Sequence, residues 1–586
     1  MNTVPNKTNF LIRLIPYALL LLFTFLFLYS FTDYIFYYQE KSSLFLVTFS
    51  FLTQQLDHPG GFLEYLGKLQ STFYFYPFVG ALMVSVEICG IIFLTSRLGR
   101  KLVAERFILV PFIIGSLLFF LQTNYQYQTL NNLGILFQLL LFLGIIAIPS
   151  KHRWISLILV PVTYFLFGSF SYLLLGMLTL FFLLEKSWLQ LLLTWLGLVV
   201  FFFLGKEFLF YQTTSTLLVF PFSITDIGGQ LILFGMAGLL MVLIPVLGKI
   251  HLKSVENLKI RRVGITEFFP FLILLLLAVA VFMRVDKKNE HYFHAEKLFY
   301  EQKFDELIRF NSRVPTNNKL TLFLNNVALT ETGRLGDSFF KFRQSPDGST
   351  LFLKWENIGQ FIRFGGYYYY AVGIVNEAQR WAYEYTVIYG YTPETIKMLI
   401  KTELIKGNYK TAEKYISILE KSVFYKKEAY NFRKFLNNDE AVLADKELGA
   451  KKRIDTQLDF FVKSDEPWLN LLPVLEADST NRIALEYEMA WLMLQKDMKG
   501  IIELLPSMER AGFKRIPKNV EEAVVTYKLL RVGEMPVLNT LQIDPKTEQR
   551  FQRYYQIFQQ NQRNKLQAQS ALREFADTYW YYVFFE

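Results

Sequence analysis

Cysteine is almost absent from this sequence of 586 residues. The one cysteine, Cys89, lies within an apolar segment. A lone cysteine excludes a disulfide within the chain and any zinc site built from several cysteines. We interpret Cys89 as a small packing residue.

Charged residues are also scarce, at 19% of the chain, whereas they make up about a quarter of an average soluble domain. The deficit lies in the first half, because only 18 of the 61 Lys and Arg and 11 of the 51 Asp and Glu occur up to Arg284. In the second half the basic residues are interspersed with acidic ones and do not form the patches typical of nucleic-acid binding. We therefore attribute the net charge of +10 mainly to membrane loops and expect no nucleic-acid partner.

Signature motifs for nucleotide and metal chemistry are missing. The sequence contains neither the Gly-x-x-x-x-Gly-Lys loop that cradles phosphates nor the His-Glu-x-x-His motif of zinc proteases. His291 and His294 form an i, i+3 pair, but no third ligand is evident, so an exposed helix face is favoured over a metal site. We expect no metal and no cofactor.

Long apolar segments dominate the first half of the chain. A helix needs roughly 17–25 apolar residues to cross a bilayer. By that measure the sequence predicts about nine spans, near 14–32, 74–95, 107–122, 132–149, 154–169, 170–185, 188–204, 229–248 and 266–283. This predicts an all-α protein with a transmembrane helix bundle over residues 1–284.

Basic residues predict the orientation of that bundle. Lys7 and Arg13 precede the first apolar run, which lacks a small-x-small cleavage site and is interpreted as a retained signal anchor. With nine spans, the loop before the last span, which carries five basic residues, lies on the same side as the N-terminus. The half that follows Arg284 is then expected on the external side.

The first external loop, residues 33–73, is too long for a simple linker. Two short apolar stretches flank the sequence Pro59-Gly60-Gly61, and the second repeats at helical spacing. We predict two amphipathic helices on the outer surface, joined by a tight turn. They form either a hairpin that caps the bundle or a lid over a site that faces the membrane.

Acidic and basic residues in or near the spans are the candidate site residues, because charges there are costly and are usually functional. Asp33 and Glu40 lie two helical turns apart in the first loop, and Asp57 and His58 precede its turn. Each of these four also has a structural interpretation, as a solvated interface residue or a turn former. The remaining candidates are Lys41 and Lys68 in the same loop, Glu87 in the middle of the second span, and Lys206 near another external loop.

The second half, residues 285–586, has the pattern of paired helices. In the clearest pair, 393–421, Gly407 and Tyr409 separate two helical segments and Ala412 begins the packed face of the second. This arrangement resembles the tetratricopeptide repeat, which stacks helix pairs into a solenoid with a concave binding face. We therefore predict an external, TPR-like helical-repeat domain whose partner is a peptide, a protein or a glycan. The stretch Tyr367–Tyr370 is a candidate binding stripe, although about half of it must pack inward.

Two family resemblances cover the chain. The stretch His58-Pro-Gly-Gly-Phe-Leu-Glu-Tyr-Leu-Gly-Lys resembles a family of bacterial polytopic membrane proteins with helical-repeat tails. The layout of the first half resembles the C-type (GT-C fold) integral-membrane glycosyltransferases, which have an acidic residue at the outer end of the first helix and a long first external loop. Asp33 occupies that place, but the next acid is Glu40, not an adjacent residue.

The second resemblance implies a transferase in a bacterial inner membrane. A sugar carried on polyprenyl phosphate is the expected donor, with Asp33, Glu40 or Asp57 in the catalytic role. The implied substrate-binding residues are His58, Lys41, Lys68, Glu87 and Lys206. The alternative is a non-enzymatic scaffold, in which the bundle is an anchor and the repeats recruit partners.

Overall fold

A computed structural model describes residues 7–102, 109–223, 228–247, 263–356, 359–456, 462, 465–530, 533–561 and 564–586. Over these residues the chain is helical and contains no β-strand, as the all-α prediction requires. The chain divides into two compact units. The first comprises Met1–Lys287 with Lys421–Phe424, and the second comprises Lys288–Glu420 with Tyr425–Glu586.

The helices of the first unit follow the apolar runs of the sequence. They are α1 (Lys7–Phe31), α2 (Tyr34–Lys41), α3 (Phe49–Gln55), α4 (Gly61–Thr72), α5 (Pro77–Leu102), α6 (Leu109–Gln122), α7 (Leu130–Ala147), α8 (Ser156–Phe167), α9 (Ser171–Glu185), α10 (Trp188–Phe208), α11 (Thr214–Val219), α12 (Leu231–Val242) and α13 (Val263–Phe282). Most carry almost no charge, and because they are helical they satisfy their backbone hydrogen bonds internally, as a bilayer requires.

The prediction of nine spans is wrong. In the described part of the chain, four helical segments are long and apolar enough to cross a membrane: Pro77–Leu102, Leu130–Ala147, Ser150–Glu185 and Trp188–Phe208. Two further pairs, Ile15–Phe31 with Tyr34–Lys41 and Phe269–Phe282 with Lys287–Tyr300, raise the number to six if each pair is counted as one bent span.

Helix length explains the difference. At 1.5 Å per residue, α6 with 14 residues and α12 with 12 extend only about 20 Å, less than the roughly 30 Å of a hydrocarbon core. The predicted spans 154–169 and 170–185 lie in one helical segment, 150–185. Arg106 and the five basic residues of the loop before the last predicted span (Lys249, Lys253, Lys259, Arg261 and Arg262) lie outside the described residues, so the predicted orientation stays a prediction.

Helix α5 lies between two apolar cores. Its residues Ala81, Val84 and Ile88 join α1, α6 and α13 in one core. Ile91 and Leu94, further along the helix, belong to a second core with α7, α8 and α9. A side chain between these two faces, such as that of Glu87, is therefore buried by packing on both sides.

Helix α10 has the surface of a lipid-facing segment. Only 17% of its most apolar window is buried, and Leu189 and Phe203 are 70% and 65% exposed. In water such a continuous apolar surface would be a liability, whereas in a bilayer it is solvated by acyl chains. The low burial of α10 therefore supports a membrane environment for this unit.

The second unit consists of shorter, charged helices. They are α14 (Lys287–Tyr300), α15 (Phe304–Arg313), α16 (Lys319–Glu331), α17 (Leu335–Ser338), α18 (Gly359–Val372), α19 (Val375–Tyr389), α20 (Pro393–Lys406), α21 (Tyr409–Glu420), α22 (Lys426–Arg433), α23 (Asp439–Ala444), α24 (Leu448–Ile454), α25 (Leu471–Ala477), α26 (Arg482–Leu494), α27 (Met498–Arg510), α28 (Lys518–Leu529), α29 (Pro545–Asn561), α30 (Lys565–Ala571) and α31 (Tyr579–Phe585).

The predicted helix pair at 393–421 forms α20 and α21. Thr392 and Thr395 make a capping box at the start of α20, which satisfies backbone N–H groups of the first turn. Gly407 ends the helix with φ of 74°, a conformation that favours glycine. Ala412 is fully buried, so the small residue lies on the packed face as expected.

Candidate functional site

The two acids of the first loop's opening helix differ in environment. Asp33 is exposed and lies at the N-cap of α2. Glu40, on the last turn of the same helix, is buried, and the Lys41 ammonium lies 3.8 Å from its carboxylate. The helix thus presents one carboxylate to solvent and keeps the other beside a cation.

The next two candidates lie at the predicted turn. Asp57 is exposed and His58 is half-buried, with its ring 5.1 Å from that of Phe220. The turn itself is packed: Gly60, with φ of 88°, donates its N–H to the Phe165 carbonyl at 2.8 Å. A Cβ at this glycine would lie 2.5 Å from Pro221. The structure therefore gives this turn a packing role, and it places Asp57 on the surface.

Lys68 and Lys206 have polar partners in the first unit. The Lys68 ammonium pairs with Glu64 at 2.7 Å and donates to Gln55 at 3.1 Å. The Lys206 ammonium donates to the Thr214 hydroxyl at 2.9 Å, and both residues are exposed. Lys206 is thus held at the end of α10, where it still faces solvent or a bound anion.

Glu87 is the most unusual of the predicted residues. Its side chain is 8% exposed, about ten residues into α5. Gln70 of α4 donates to Glu87 Oε1 at 2.5 Å and to the Tyr74 hydroxyl at 2.8 Å. Glu87 Oε2 has no hydrogen-bond partner among the described residues. A carboxyl group is therefore buried with a neutral amide as its donor.

Further polar side chains extend this contact across the bundle. Asn132 of α7 also interacts with the Glu87 carboxyl by hydrogen bonding. Asn132 in turn donates to Gln122 at 3.0 Å and accepts from the Tyr127 hydroxyl at 3.1 Å. We refer to these residues as the Glu87 cluster: Gln70, Tyr74, Glu87, Gln122, Tyr127 and Asn132.

A side chain of the first loop is hydrogen-bonded to the backbone of the Glu87 cluster. Gln39 of α2 is buried and donates to the Tyr127 carbonyl at 2.9 Å. Its neighbour Glu40 therefore lies one residue from a group that positions the cluster. Sequence reasoning found Glu87 and Glu40 but missed Gln39 and the other amides. Uncharged amides inside apolar segments, such as Gln122 and Asn132, were the signal that would have indicated them.

An apolar groove lies among the helices around α10. It has a volume of about 440 Å³, within the range of roughly 300–1,000 Å³ typical of ligand pockets. Its walls come from α8, α9, α10 and α11 and consist of Tyr164, Tyr172, Leu175, Gly176, Trp195, Leu198, Val199, Phe202, Phe203 and Leu218. Val199 and Phe203 are 44% and 65% exposed, so the groove opens on the apolar surface of α10.

Lys206 follows Phe203, the last α10 residue of the groove wall, by three positions. Residues Val199, Phe203 and Lys206 recur at helical spacing, so they share one face of α10. Thr214, which accepts from Lys206, begins the helix that carries Leu218 of the groove wall. The face of α10 that contributes to the apolar groove therefore continues to a cation one helical turn beyond Phe203.

The second unit contains a buried ion pair and no candidate catalytic acid from the sequence. Arg363 Nη2 lies 2.9 Å from Glu296 Oε1, and both side chains are almost wholly buried.

Tyr367–Tyr370 are mainly packing residues: three of the four are buried, so the expectation of a half-exposed binding stripe is corrected. His291 interacts with Asn311 at 3.0 Å and stacks on Phe310, and the described residues contain no group of three or more metal-ligating side chains.

Comparison with known proteins places the whole chain in one family. The model of the family described as "Family of unknown function (DUF6057)" matches residues 8–586, and the chain belongs to that family. No curated protein and no solved structure matches the chain.

Proposed function

We propose that this DUF6057 member is a multi-pass membrane protein that binds a sugar carried on polyprenyl phosphate and transfers the sugar to an acceptor, in the manner of the GT-C glycosyltransferases. The observation that carries the proposal is the apolar groove with Lys206 one helical turn beyond Phe203 of its wall. A polyprenyl chain needs a long apolar surface reached from the lipid, and its phosphate needs a cation where that surface ends. The groove and Lys206 offer both.

The catalytic step rests on the first loop. Asp33 or Glu40 acts as general base and removes the proton of an acceptor hydroxyl. The freed oxygen attacks the anomeric carbon, the bond between that carbon and the phosphate oxygen breaks, and polyprenyl phosphate leaves. Asp33 is exposed and suits access to an acceptor, whereas buried Glu40 beside Lys41 suits a positioning role.

In this proposal the second unit binds the acceptor. Its helix pairs, such as α20 and α21, are the basis for a TPR-like solenoid that binds a peptide, protein or glycan. For this the unit must lie on the external side of a bacterial inner membrane, with the N-terminus in the cytoplasm. A periplasm-active reporter fused after Glu586 is expected to be active. Activity of a cytoplasmic reporter alone at that position would contradict the proposal.

Lipid binding is the first test. Val199→Trp fills the groove, and Leu192→Trp is the matched control because Leu192 is exposed on the same helix but outside the groove wall. Native mass spectrometry of the full chain reconstituted with polyprenyl phosphate should show several-fold less bound lipid for Val199→Trp and no change for Leu192→Trp. Lys206→Gln should weaken retention of polyprenyl phosphate but not of the uncharged polyprenol. Equal binding by all variants would remove the groove from the function.

Transfer is the second test. The double variant Asp33→Asn/Glu40→Gln should lose transfer from a polyprenyl-phosphate sugar while it still retains the lipid. Full activity of this variant would exclude both acids from the chemistry. Loss of both lipid retention and transfer would indicate a folding defect, which circular dichroism of the purified protein would reveal.

A non-enzymatic scaffold is the second candidate. The observation in its favour is an exposed apolar face on α19, where Tyr383, Val387 and Ile388 are each more than half exposed. Such a face is typical of protein interaction sites. Tyr383→Ser/Val387→Ser should then fail to complement a strain that lacks this protein, whereas Val199→Trp should complement it. The reverse pattern supports the transferase.

A further inference from the structure

The Glu87 carboxyl lacks the cation that a buried carboxylate normally needs. Glu87 is 8% exposed, and Gln70 Nε2 is its hydrogen-bond donor at 2.5 Å. No lysine or arginine among the described residues forms an ion pair with it. An ionised carboxylate taken out of water without a cation is strongly disfavoured.

The groups that face Glu87 from neighbouring helices are neutral. They are Gln70 of α4, Asn132 of α7 and the phenols Tyr74 and Tyr127. Burial raises the pKa of both phenols above the ordinary value, so neither carries charge near neutral pH. None of these groups balances a negative charge on Glu87.

One oxygen of the Glu87 carboxyl is available to carry a proton. Glu87 Oε1 accepts from Gln70, whereas Oε2 is buried and has no hydrogen-bond partner in the described part of the chain. Gln122 Nε2, in the same cluster, is also without a partner. A hydroxyl at Oε2 leaves Oε1 as the acceptor that Gln70 requires and removes the charge.

We propose that the Glu87 cluster is a proton-binding site inside the bundle, in which Glu87 Oε2 carries the proton at neutral pH and releases it only when a cation or water reaches the cluster. The ligand is a proton, held by a carboxyl and oriented by amides from α4 and α7. This site is independent of the apolar groove, because no residue of the cluster lines that groove.

Infrared spectroscopy of the full chain in lipid tests the proposal. At neutral pH the wild-type protein should absorb at the C=O stretch of a protonated carboxyl, and part of that band should be lost in Glu87→Gln. The matched control is Glu185→Gln, because Glu185 is partly exposed and pairs with Arg153 at 2.5 Å, whereas Glu87 is buried and forms no ion pair among the described residues. The control should keep the band. Identical spectra for wild type and Glu87→Gln would overturn the proposal.

Chemical labelling gives an answer even if Glu87→Gln does not fold. Dicyclohexylcarbodiimide is apolar and reacts with protonated carboxyls: the carboxyl oxygen adds to its central carbon and the proton moves to nitrogen. Peptide mapping of the wild type should show an adduct on Glu87 that decreases several-fold from mildly acidic to alkaline pH, with little on Glu64 or Glu185. Equal labelling of all three acids, or none on Glu87 at acidic pH, would contradict the assignment. Protection by sodium ions at constant pH would contradict it too, because it would identify a cation site in place of a proton site.

Discussion

Two buried glutamates, one in each unit, are held in opposite ways. Glu87 of the first unit is 8% exposed and Glu296 of the second is 0% exposed. Glu87 accepts from the Gln70 amide at 2.5 Å, whereas Glu296 lies 2.9 Å from the Arg363 guanidinium. Burial is thus similar, and the chemistry of the partner differs.

The two glutamates show two ways of handling a carboxyl that water cannot reach. At Arg363 the charge is kept and paired. Burial opposes the charge, but the Glu296 carboxylate and the neighbouring tyrosines together offset burial, so the pKa of Arg363 lies well above its ordinary value. Among the described residues of the first unit no cation pairs with Glu87, and neutrality is the remaining solution. A carboxyl kept neutral in this way is free to exchange its proton, whereas a paired one is fixed.

Breaking the ion pair should have the largest effect. Arg363→Met removes the guanidinium and leaves Glu296 buried without its cation, which costs about 3–5 kcal/mol. The expected result is a fall of that size in the free energy of opening of α14 and α18, measured by hydrogen exchange of the full chain.

An exposed ion pair of the same unit is the control for that experiment. Arg515 is 67% exposed and pairs with Asp337 at 2.6 Å. Arg515→Met should cost less than about 1 kcal/mol. If both substitutions cost the same, the burial of the Arg363 pair would not be what stabilises the second unit.

Two buried glutamines sharpen the view of the first unit. Gln70→Leu removes the donor to Glu87 and should cost about 1–3 kcal/mol, because a buried acceptor is left unsatisfied. Gln138 of α7 is fully buried, and neither of its amide atoms has a hydrogen-bond partner among the described residues. Gln138→Leu should therefore be neutral or stabilising. Thermal unfolding of both variants in one detergent measures the contrast, and equal losses would mean that the Glu87 contact has no special weight.

The stability of the second unit is expected to depend on pH. Burial raises the pKa of Glu522 from 4.5 to about 7, although hydrogen bonds from Tyr579 and Asn519 and the nearby Lys518 and Arg550 oppose the rise. A carboxyl with a raised pKa stabilises the folded state below pH 4.5, and that contribution is lost as the pH rises to about 7. At about 1.4 kcal/mol per pKa unit, a shift of this size corresponds to a loss of roughly 3 kcal/mol.

The same carboxyl joins two helices, which provides the readout. Glu522 of α28 accepts from the Tyr579 N–H of α31 at 2.8 Å, and its carbonyl accepts from the Trp580 indole. The wild-type protein should become less stable toward neutral pH, as measured by unfolding followed through Trp580 fluorescence. In Glu522→Gln this dependence should be weaker, and an unchanged dependence would assign it to other groups.

The sequence predicted the helical class and the apolar character of the first half, because hydrophobic periodicity and low charge are local properties. Glu87 was identified by the same reasoning, since a charge within an apolar segment is visible without a structure. The helix pair α20–α21 was predicted at its place because Gly407 and Ala412 act within a few residues of their position.

The remaining features depend on contacts between distant parts of the chain. Gln70 and Asn132 join Glu87 from 17 and 45 residues away along the sequence, and uncharged amides give no signal of that pairing. The count of spans was wrong because hydropathy measures apolar content and not where a helix ends. Tyr367–Tyr370 was expected to be half exposed, but helix packing around α18 buries three of its rings.

The most direct measurement is a comparison of the same isosteric change at both glutamates. Glu87→Gln replaces a neutral carboxyl by a neutral amide and should change the opening free energy of α5 by less than about 1 kcal/mol. Glu296→Gln leaves the Arg363 charge uncompensated and should lower that of α18 by about 3–5 kcal/mol. Hydrogen exchange of the two full-length variants in one lipid environment measures both. A large loss at Glu87 together with a small loss at Glu296 would contradict the view that Glu87 is kept neutral and Glu296 is kept paired.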